Sequence, residues 1–159
     1  MSILVAGIGN IFLGDDAFGV EVVQRLAHRP LPCGVRVADF GIRGFDLAQT
    51  LVDASDTVVV LVDALPRGGD PGTLYLLEPG IDDSTPEIET HGMDPANVLR
   101  LVRAFGGQPP RILVVGCEPS TTELDPQGQI GLSPPVEAAV EEAIRLIADV
   151  VTTTEGSRT

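Results

Sequence analysis

The sequence predicts a single α/β domain, a three-layer αβα sandwich around a mostly parallel twisted sheet. Its 159 residues match the commonest size of one domain. Unbroken apolar runs, typical of strands covered on both faces, alternate with segments whose apolar residues recur at helical spacing. We therefore assign residues 1–151 to one domain and predict a flexible C-terminal tail at 152–159, where no apolar pattern continues.

Five segments are rich in β-branched and aliphatic residues and are predicted to be strands. They are Ile3–Ile8, Val35–Asp39, Thr57–Val62, Thr73–Leu77 and Ile112–Val115. Asp16 follows the first strand, Asp39 closes the second, and Asp63 directly follows the third. The segment Thr73–Leu77, after a turn-forming Gly/Pro-rich stretch, is expected to be a hairpin strand that could run antiparallel.

Four segments have the apolar spacing of helices that pack one face on a sheet. They begin after Asp15-Asp16, at Phe45, at Asp94 and at Pro134. One carboxylate of the Asp15-Asp16 pair is expected to cap the first helix, and Ser133 to cap the last, which Pro134 opens. Residues 78–93 are acidic and irregular, and a loop of that length is usually functional or mobile.

The charge excludes several classes of partner. There are 23 acidic and 10 basic residues, all of the latter arginine, for a formal net charge of −13. Such a chain repels phosphate, so we predict no nucleic acid and no membrane partner, and expect cationic or metal-bearing ligands. Cys33 and Cys117 lack a C-x-x-C spacing, and the N-terminus has neither a signal nor a membrane-spanning pattern. These features predict a soluble cytoplasmic protein.

The candidate site lies where the strands end. Open α/β sheets bind ligands beyond the carboxyl ends of their strands, and Asp16 and Asp63 both belong there. His91, in the long loop, could fold over the same edge. Two carboxylates and an imidazole suit a borderline divalent metal, so we predict a metal-contacting site at these three residues. In the structural alternative, Asp16 caps a helix, Asp63 holds a turn and His91 is an ordinary loop residue.

Other chemistries are less well supported. Gly7-Ile-Gly9 resembles a dinucleotide-binding turn, but Phe12 replaces its third glycine and the Asp pair would face the pyrophosphate. Cys117 could be a nucleophile, with His91 or His28 as base, yet neither cysteine has a protease signature around it, and a buried thiol is the commoner situation. The H-E-x-x-H pattern of zinc proteases is absent from the sequence.

An ordered set of short motifs resembles the NiFe-hydrogenase maturation endopeptidases, from Ile3 to about Val150. The motifs are Gly7-Ile-Gly-Asn10, Gly14-Asp-Asp16, Gly19-Val20, Val62-Asp-Ala64, a mid-chain histidine and Gly131-Leu-Ser-Pro134. The resemblance implies an endopeptidase that removes a C-terminal peptide from the large-subunit precursor of a hydrogenase after nickel insertion. The precursor's nickel would be the recognition signal, with no organic cofactor. The family's metal-contacting positions fall on Asp16, Asp63 and His91, which we also take as the catalytic residues.

One segment departs from the family. Asp39-Phe-Gly-Ile-Arg-Gly44 stands where many members have Asp-Gly-Gly-Thr-x-Gly, which affects the expected substrate subtype, while Asp39 stays a secondary catalytic candidate. Two alternatives remain open: a non-cleaving chaperone or metal-checking module for the large subunit, and a metal-dependent amidohydrolase of small substrates. Without a long exposed apolar run, the chain is expected to be a monomer that meets its partner transiently.

Overall fold

The protein is represented by a computed structural model that describes residues 2–11, 14–41, 47, 50, 58–78, 104, 111–120 and 131–156. The strands in these ranges are β1 (Ile3–Ile8), β2 (Val35–Gly41), β3 (Val58–Ala64), β4 (Leu74–Leu77) and β5 (Arg111–Cys117). The helices with described bounds are a 3₁₀ turn (Gly14–Ala17), α1 (Phe18–Leu26) and α2 (Pro134–Gly156).

The strands form one sheet in the order β2-β1-β3-β5-β4. The neighbours among β2, β1, β3 and β5 are parallel, whereas β4 pairs antiparallel with β5 at the edge. This confirms the α/β class with a mostly parallel sheet. β4 runs antiparallel, as the sequence allowed. It does not form a hairpin with β3, however, because its partner is β5, the next strand along the chain.

Side chains alternate between two cores, one on each face of the sheet. On one face α1 and α2 pack against residues such as Ile3, Val5 and Val60. On the other face Leu4, Leu61 and neighbouring aliphatic residues surround Leu47, which is helical and fully buried. Helical residues therefore cover both faces, which confirms the predicted sandwich.

Two glycines let α1 lie directly on the sheet. A Cβ atom on Gly19 would lie 2.0 Å from the Val62 carbonyl oxygen and 2.5 Å from that of Ile8. A Cβ atom on Gly7 would lie 2.4 Å from Cγ2 of Val23. The first turn of α1 is thus held against the carboxyl ends of β1 and β3. Both glycines are therefore explained by helix packing, and Gly7 needs no dinucleotide-binding turn to account for it.

Helix α2 is longer than the apolar stripe predicts. It begins at Pro134 as predicted but ends at Gly156, so residues 152–156 of the predicted flexible tail are helical. Thr154 is buried, and its hydroxyl donates a 2.7 Å hydrogen bond to the Val150 carbonyl oxygen. The helix therefore continues beyond Val151, where the apolar spacing stops.

Three predicted segments fall largely outside the described residues. The helix predicted from Phe45 is described only at Leu47 and Thr50, both of which are helical. The acidic stretch 78–93 is described only at Glu78, and the helix predicted from Asp94 only at Ala104, which is helical. Across the ranges that the structure does describe, no helix is long and apolar enough to span a membrane.

Candidate active site at the carboxyl edge of the sheet

The strand order creates a crevice between the carboxyl ends of β1 and β3. β1 has β2 on one side and β3 on the other, so the direction of the chain connections reverses there, and such switch points are where open α/β sheets bind ligands. Asp16 lies in the 3₁₀ turn after β1, and Asp63 is the penultimate residue of β3. Because Gly7 pairs with Val62, the parallel register brings both carboxylates to the same edge, as predicted.

Asp16 is half-buried in a turn that folds back on the end of β1. Its Oδ2 accepts a 2.8 Å hydrogen bond from the backbone N–H of Asn10. Gly9 has a φ of +149°, and a Cβ atom there would lie 1.9 Å from the Asp16 carbonyl oxygen, so only glycine allows this approach. The N-cap of α1 is Ala17, which forms no side-chain capping bond. The prediction that Asp15 or Asp16 caps α1 is therefore wrong.

Asp15 instead connects three distant parts of the chain. Asp15 is only 3% exposed. Its oxygens accept hydrogen bonds from the N–H of Ser133 at 2.7 Å, and from the N–H of Ser120 and the hydroxyl of Ser133 at 2.8 Å each. Ser133 occupies the N-cap position of α2, as predicted, because its carbonyl accepts a hydrogen bond from the Glu137 N–H. Its hydroxyl, however, donates to Asp15. Asp15 thus fixes the turn that carries Asp16.

Asp63 is the penultimate residue of β3, and the five strand residues before it are all buried. The residue is 8% exposed, and Oδ1 accepts a 2.8 Å hydrogen bond from the N–H of Ala64. A buried carboxylate is costly unless it is hydrogen-bonded, and this local bond offsets part of that cost. One oxygen therefore does hold the local backbone, as the structural alternative expected.

The third predicted site residue, His91, lies outside the described residues. Within the part of the chain that the structure describes, the His, Cys, Asp and Glu side chains form no group of three or more that could hold a metal ion. The structure thus brings Asp16 and Asp63 to one edge, and the contribution of His91 stays a prediction.

Asp39 lies on the rim of this edge at the end of β2. Gly7 pairs with Asp39 while Ile8 pairs with Gly41, so Phe40 is an extra residue that makes a bulge. Asp39 Oδ1 accepts a 2.8 Å hydrogen bond from the Gly41 N–H, and Gly41 has a φ of +53°. The Gly41 carbonyl in turn accepts the Gly9 N–H at 2.9 Å, which places the bulge beside the turn that leads to Asp16.

Cys117 has the wrong environment for a nucleophile. It is fully buried at the end of β5. Burial first, and then the nearby carboxylates of Asp15 and Glu118, raise its pKa from the ordinary 9.0 to about 12. The thiol is therefore neutral at physiological pH, whereas catalysis needs the thiolate. Cys33 is exposed.

Glu118 is a buried residue whose role the sequence analysis missed. The residue is 4% exposed. Its carboxylate accepts hydrogen bonds from the N–H groups of Arg67 (2.9 and 3.1 Å) and Gly69 (2.7 Å) and from the Tyr75 hydroxyl (2.9 Å). Burial raises the pKa of Glu118, but these donors outweigh it and hold the pKa below its usual range. Its position was the available signal, because Glu118 lies three residues beyond the predicted strand Ile112–Val115 and directly follows the observed β5.

Comparison with known proteins identifies close structural and sequence relatives. Residues 20–150 match the family model described as hydrogenase maturation protease. The hydrogenase 2 maturation protease of Escherichia coli K12 is 34% identical over 153 residues, covering 92% of this chain and 88% of that protein.

Two solved structures share the whole fold. The hydrogenase maturating endopeptidase HybD from E. coli superposes with a TM-score of 0.80 at 33% identity, covering 97% of this chain and 94% of that one. The [NiFe] hydrogenase maturation protease HycI from Thermococcus kodakarensis gives 0.76 at 28% identity, with coverages of 95% and 92%. The shared region therefore includes the elements that carry Asp16 and Asp63.

Proposed function

Because this chain belongs to the hydrogenase maturation protease family, whose members are hydrolases acting on peptide bonds, we propose that its substrate is the large-subunit precursor of a NiFe-hydrogenase. The protein would remove a C-terminal peptide from that precursor after nickel has been inserted. The observation that supports this most is the placement of Asp16 and Asp63 at the carboxyl edge of β1 and β3, where the strand order reverses.

In this proposal the nickel carried by the precursor is the recognition signal. The two carboxylates come from separate strand ends, and the chain has a net charge of −13, so this edge suits a positively charged group. Oxygen donors from Asp16 and Asp63 and a nitrogen from His91 form a mixed set that divalent first-row metals accept. A precursor without nickel would lack the group that these residues bind.

Binding the nickel would fix the scissile peptide in one place. Proximity of this kind turns attack by water into an effectively intramolecular step. Water adds to the peptide carbonyl carbon, the C–N bond breaks, and the departing amine takes up a proton. The water would be activated either by a carboxylate acting as general base or by the substrate's nickel acting as Lewis acid. Asp39 is the secondary candidate for the general base.

The test uses purified protein and nickel-loaded precursor, with the mobility shift of the precursor as the signal of cleavage. Asp16→Asn, Asp63→Asn and His91→Ala should each slow processing on the order of 100-fold, because each removes a group that positions the substrate. Their melting temperatures should stay near that of the wild type. Glu142→Gln, which changes an exposed glutamate of α2, is the control and should process normally. Normal processing by all three site variants would refute this site.

The same assay decides between the proposal and the two alternatives. A non-cleaving chaperone would bind the precursor and leave its length unchanged, whereas a shortened precursor supports the endopeptidase. Turnover of small amides with tightly held zinc would favour the amidohydrolase. We further propose that the protein acts as a cytoplasmic monomer, which sedimentation of the free protein and cell fractionation would test.

A further inference from the structure

We propose that Glu118 is a positioning residue for Asp63. The inference rests on the proposed function, because it assigns Glu118 a role in holding one of the residues that bind the precursor's nickel. It concerns the backbone that leaves β3, here named the β3 exit and defined as residues 65–72, which begins two residues after Asp63.

The end of β3 and the start of the β3 exit are both paired with the end of β5. Asp63 pairs with Gly116 and Ala64 with Cys117 in the parallel register. The Leu65 N–H then donates to the Cys117 carbonyl at 2.9 Å. Beyond that point the strand pairing ends, and the carboxylate of Glu118 takes over as the acceptor.

Glu118 holds the rest of the exit through its side chain and its backbone. Its carboxylate accepts the N–H groups of Arg67 and Gly69, and its carbonyl accepts the Gly72 N–H at 2.9 Å. A Cβ atom on Gly69 would lie 2.4 Å from the Tyr75 hydroxyl oxygen, so the exit is packed closely at this point. One buried carboxylate therefore determines the path of the chain within six residues of Asp63.

The chemistry of these bonds requires an ionised carboxylate of this length. All of its described partners are donors: backbone N–H groups and the Tyr75 hydroxyl. Glutamine would present an NH₂ group to one or more of these donors, and aspartate would be one methylene too short to reach them. Glu118→Gln should therefore let the exit relax and move Asp63 at the site.

The expected effect is loss of nickel-dependent recognition. Residues that orient a metal-contacting group typically contribute 10- to 100-fold to affinity or activity. We expect Glu118→Gln to weaken binding of nickel-loaded precursor by about 10-fold or more, with little change in binding of nickel-free precursor. A merely structural defect would lower the active fraction and affect both precursors equally. Glu142→Gln, an exposed site, is the matched control for the same chemical change.

A double-mutant cycle separates this inference from the proposed function. If Glu118 acts through Asp63, then Glu118→Gln in an Asp63→Asn background should add less than about a twofold loss of binding. A further loss as large as in the wild-type background would overturn the inference, as would wild-type binding by Glu118→Gln alone. Wild-type binding and processing by Asp63→Asn would instead refute Asp63 as a site residue, and the inference with it.

Tyr75→Phe keeps the measurement possible if Glu118→Gln does not fold. The variant removes one hydroxyl donor at 2.9 Å from the carboxylate and leaves the aromatic ring beneath Arg67. A smaller loss in the same nickel-dependent direction supports the inference. Unchanged discrimination between the two precursors by a folded Tyr75→Phe variant, together with failure of Glu118→Gln to fold, would overturn it.

Discussion

Gly19→Ala sets two physical effects against each other at the start of α1. Alanine is the better helix former by about 0.5 to 1 kcal/mol, so propensity alone predicts a more stable protein. The new Cβ atom, however, would lie 2.0 Å from the Val62 carbonyl oxygen, about 1.4 Å closer than ordinary van der Waals contact begins. That oxygen belongs to the backbone of a central strand, so α1 must move away from the sheet.

Packing should outweigh propensity. Overpacking a well-filled interior costs about 1 to 3 kcal/mol, and backbone atoms on both sides put this case at the upper end. After the helix gain is subtracted, we expect a net loss of about 2 kcal/mol, or a melting temperature lower by about 4 to 8 °C. Displacing α1 also displaces the turn that holds Asp16, so processing should slow as well.

Urea and thermal unfolding measure the first effect, and precursor cleavage measures the second. Gln24→Ala is the control, because it introduces the same residue at an exposed position of the same helix, and it should leave both measurements nearly unchanged. A Gly19→Ala protein as stable as the wild type would show that the helix is not held at this distance.

Three further predictions concern the two cysteines and Asp15. Cys33 should react with a thiol reagent at pH 8 in the folded protein, whereas Cys117 should react only on unfolding; labelling followed by mass spectrometry distinguishes them. Folding raises the pKa of Cys117 from 9.0 to about 12. Its contribution to the free energy of unfolding should therefore be intact below pH 9 and should fall as the pH rises towards 12. The Cys117→Ala variant should not show this loss. Asp15→Asn should cost about 2 to 4 kcal/mol, because one oxygen that accepts buried donors becomes an NH₂ group. Urea unfolding checks this value, and an unchanged midpoint would contradict the role of Asp15.

The fold was predictable because its signals are local. The unbroken apolar run of β1 fixed both ends of that strand, and Pro134 marked the start of α2. The convergence of Asp16 and Asp63 followed from one general property of parallel sheets, that their strands end at a common edge. Each of these inferences needed only the type and spacing of neighbouring residues.

The roles of Asp15 and Glu118 could not be predicted in this way. Both are carboxylates satisfied by backbone donors far away in sequence: Ser120 and Ser133 lie 105 and 118 residues from Asp15, and Arg67 lies 51 residues from Glu118. No local pattern encodes such partners, because any residue with a free N–H can serve. An acidic residue before an apolar helical stripe also has the same appearance whether it caps that helix or holds another part of the chain.

The most direct test of nickel as the recognition signal compares two forms of one substrate. Equal amounts of nickel-loaded and nickel-free large-subunit precursor are incubated with the wild-type protein, and the rate of appearance of the shortened product is measured for each. We predict rapid conversion of the loaded precursor and conversion of the nickel-free precursor slower on the order of 100-fold, because only the loaded form offers the group that positions the peptide. Equal rates for the two precursors would contradict the proposed role of nickel.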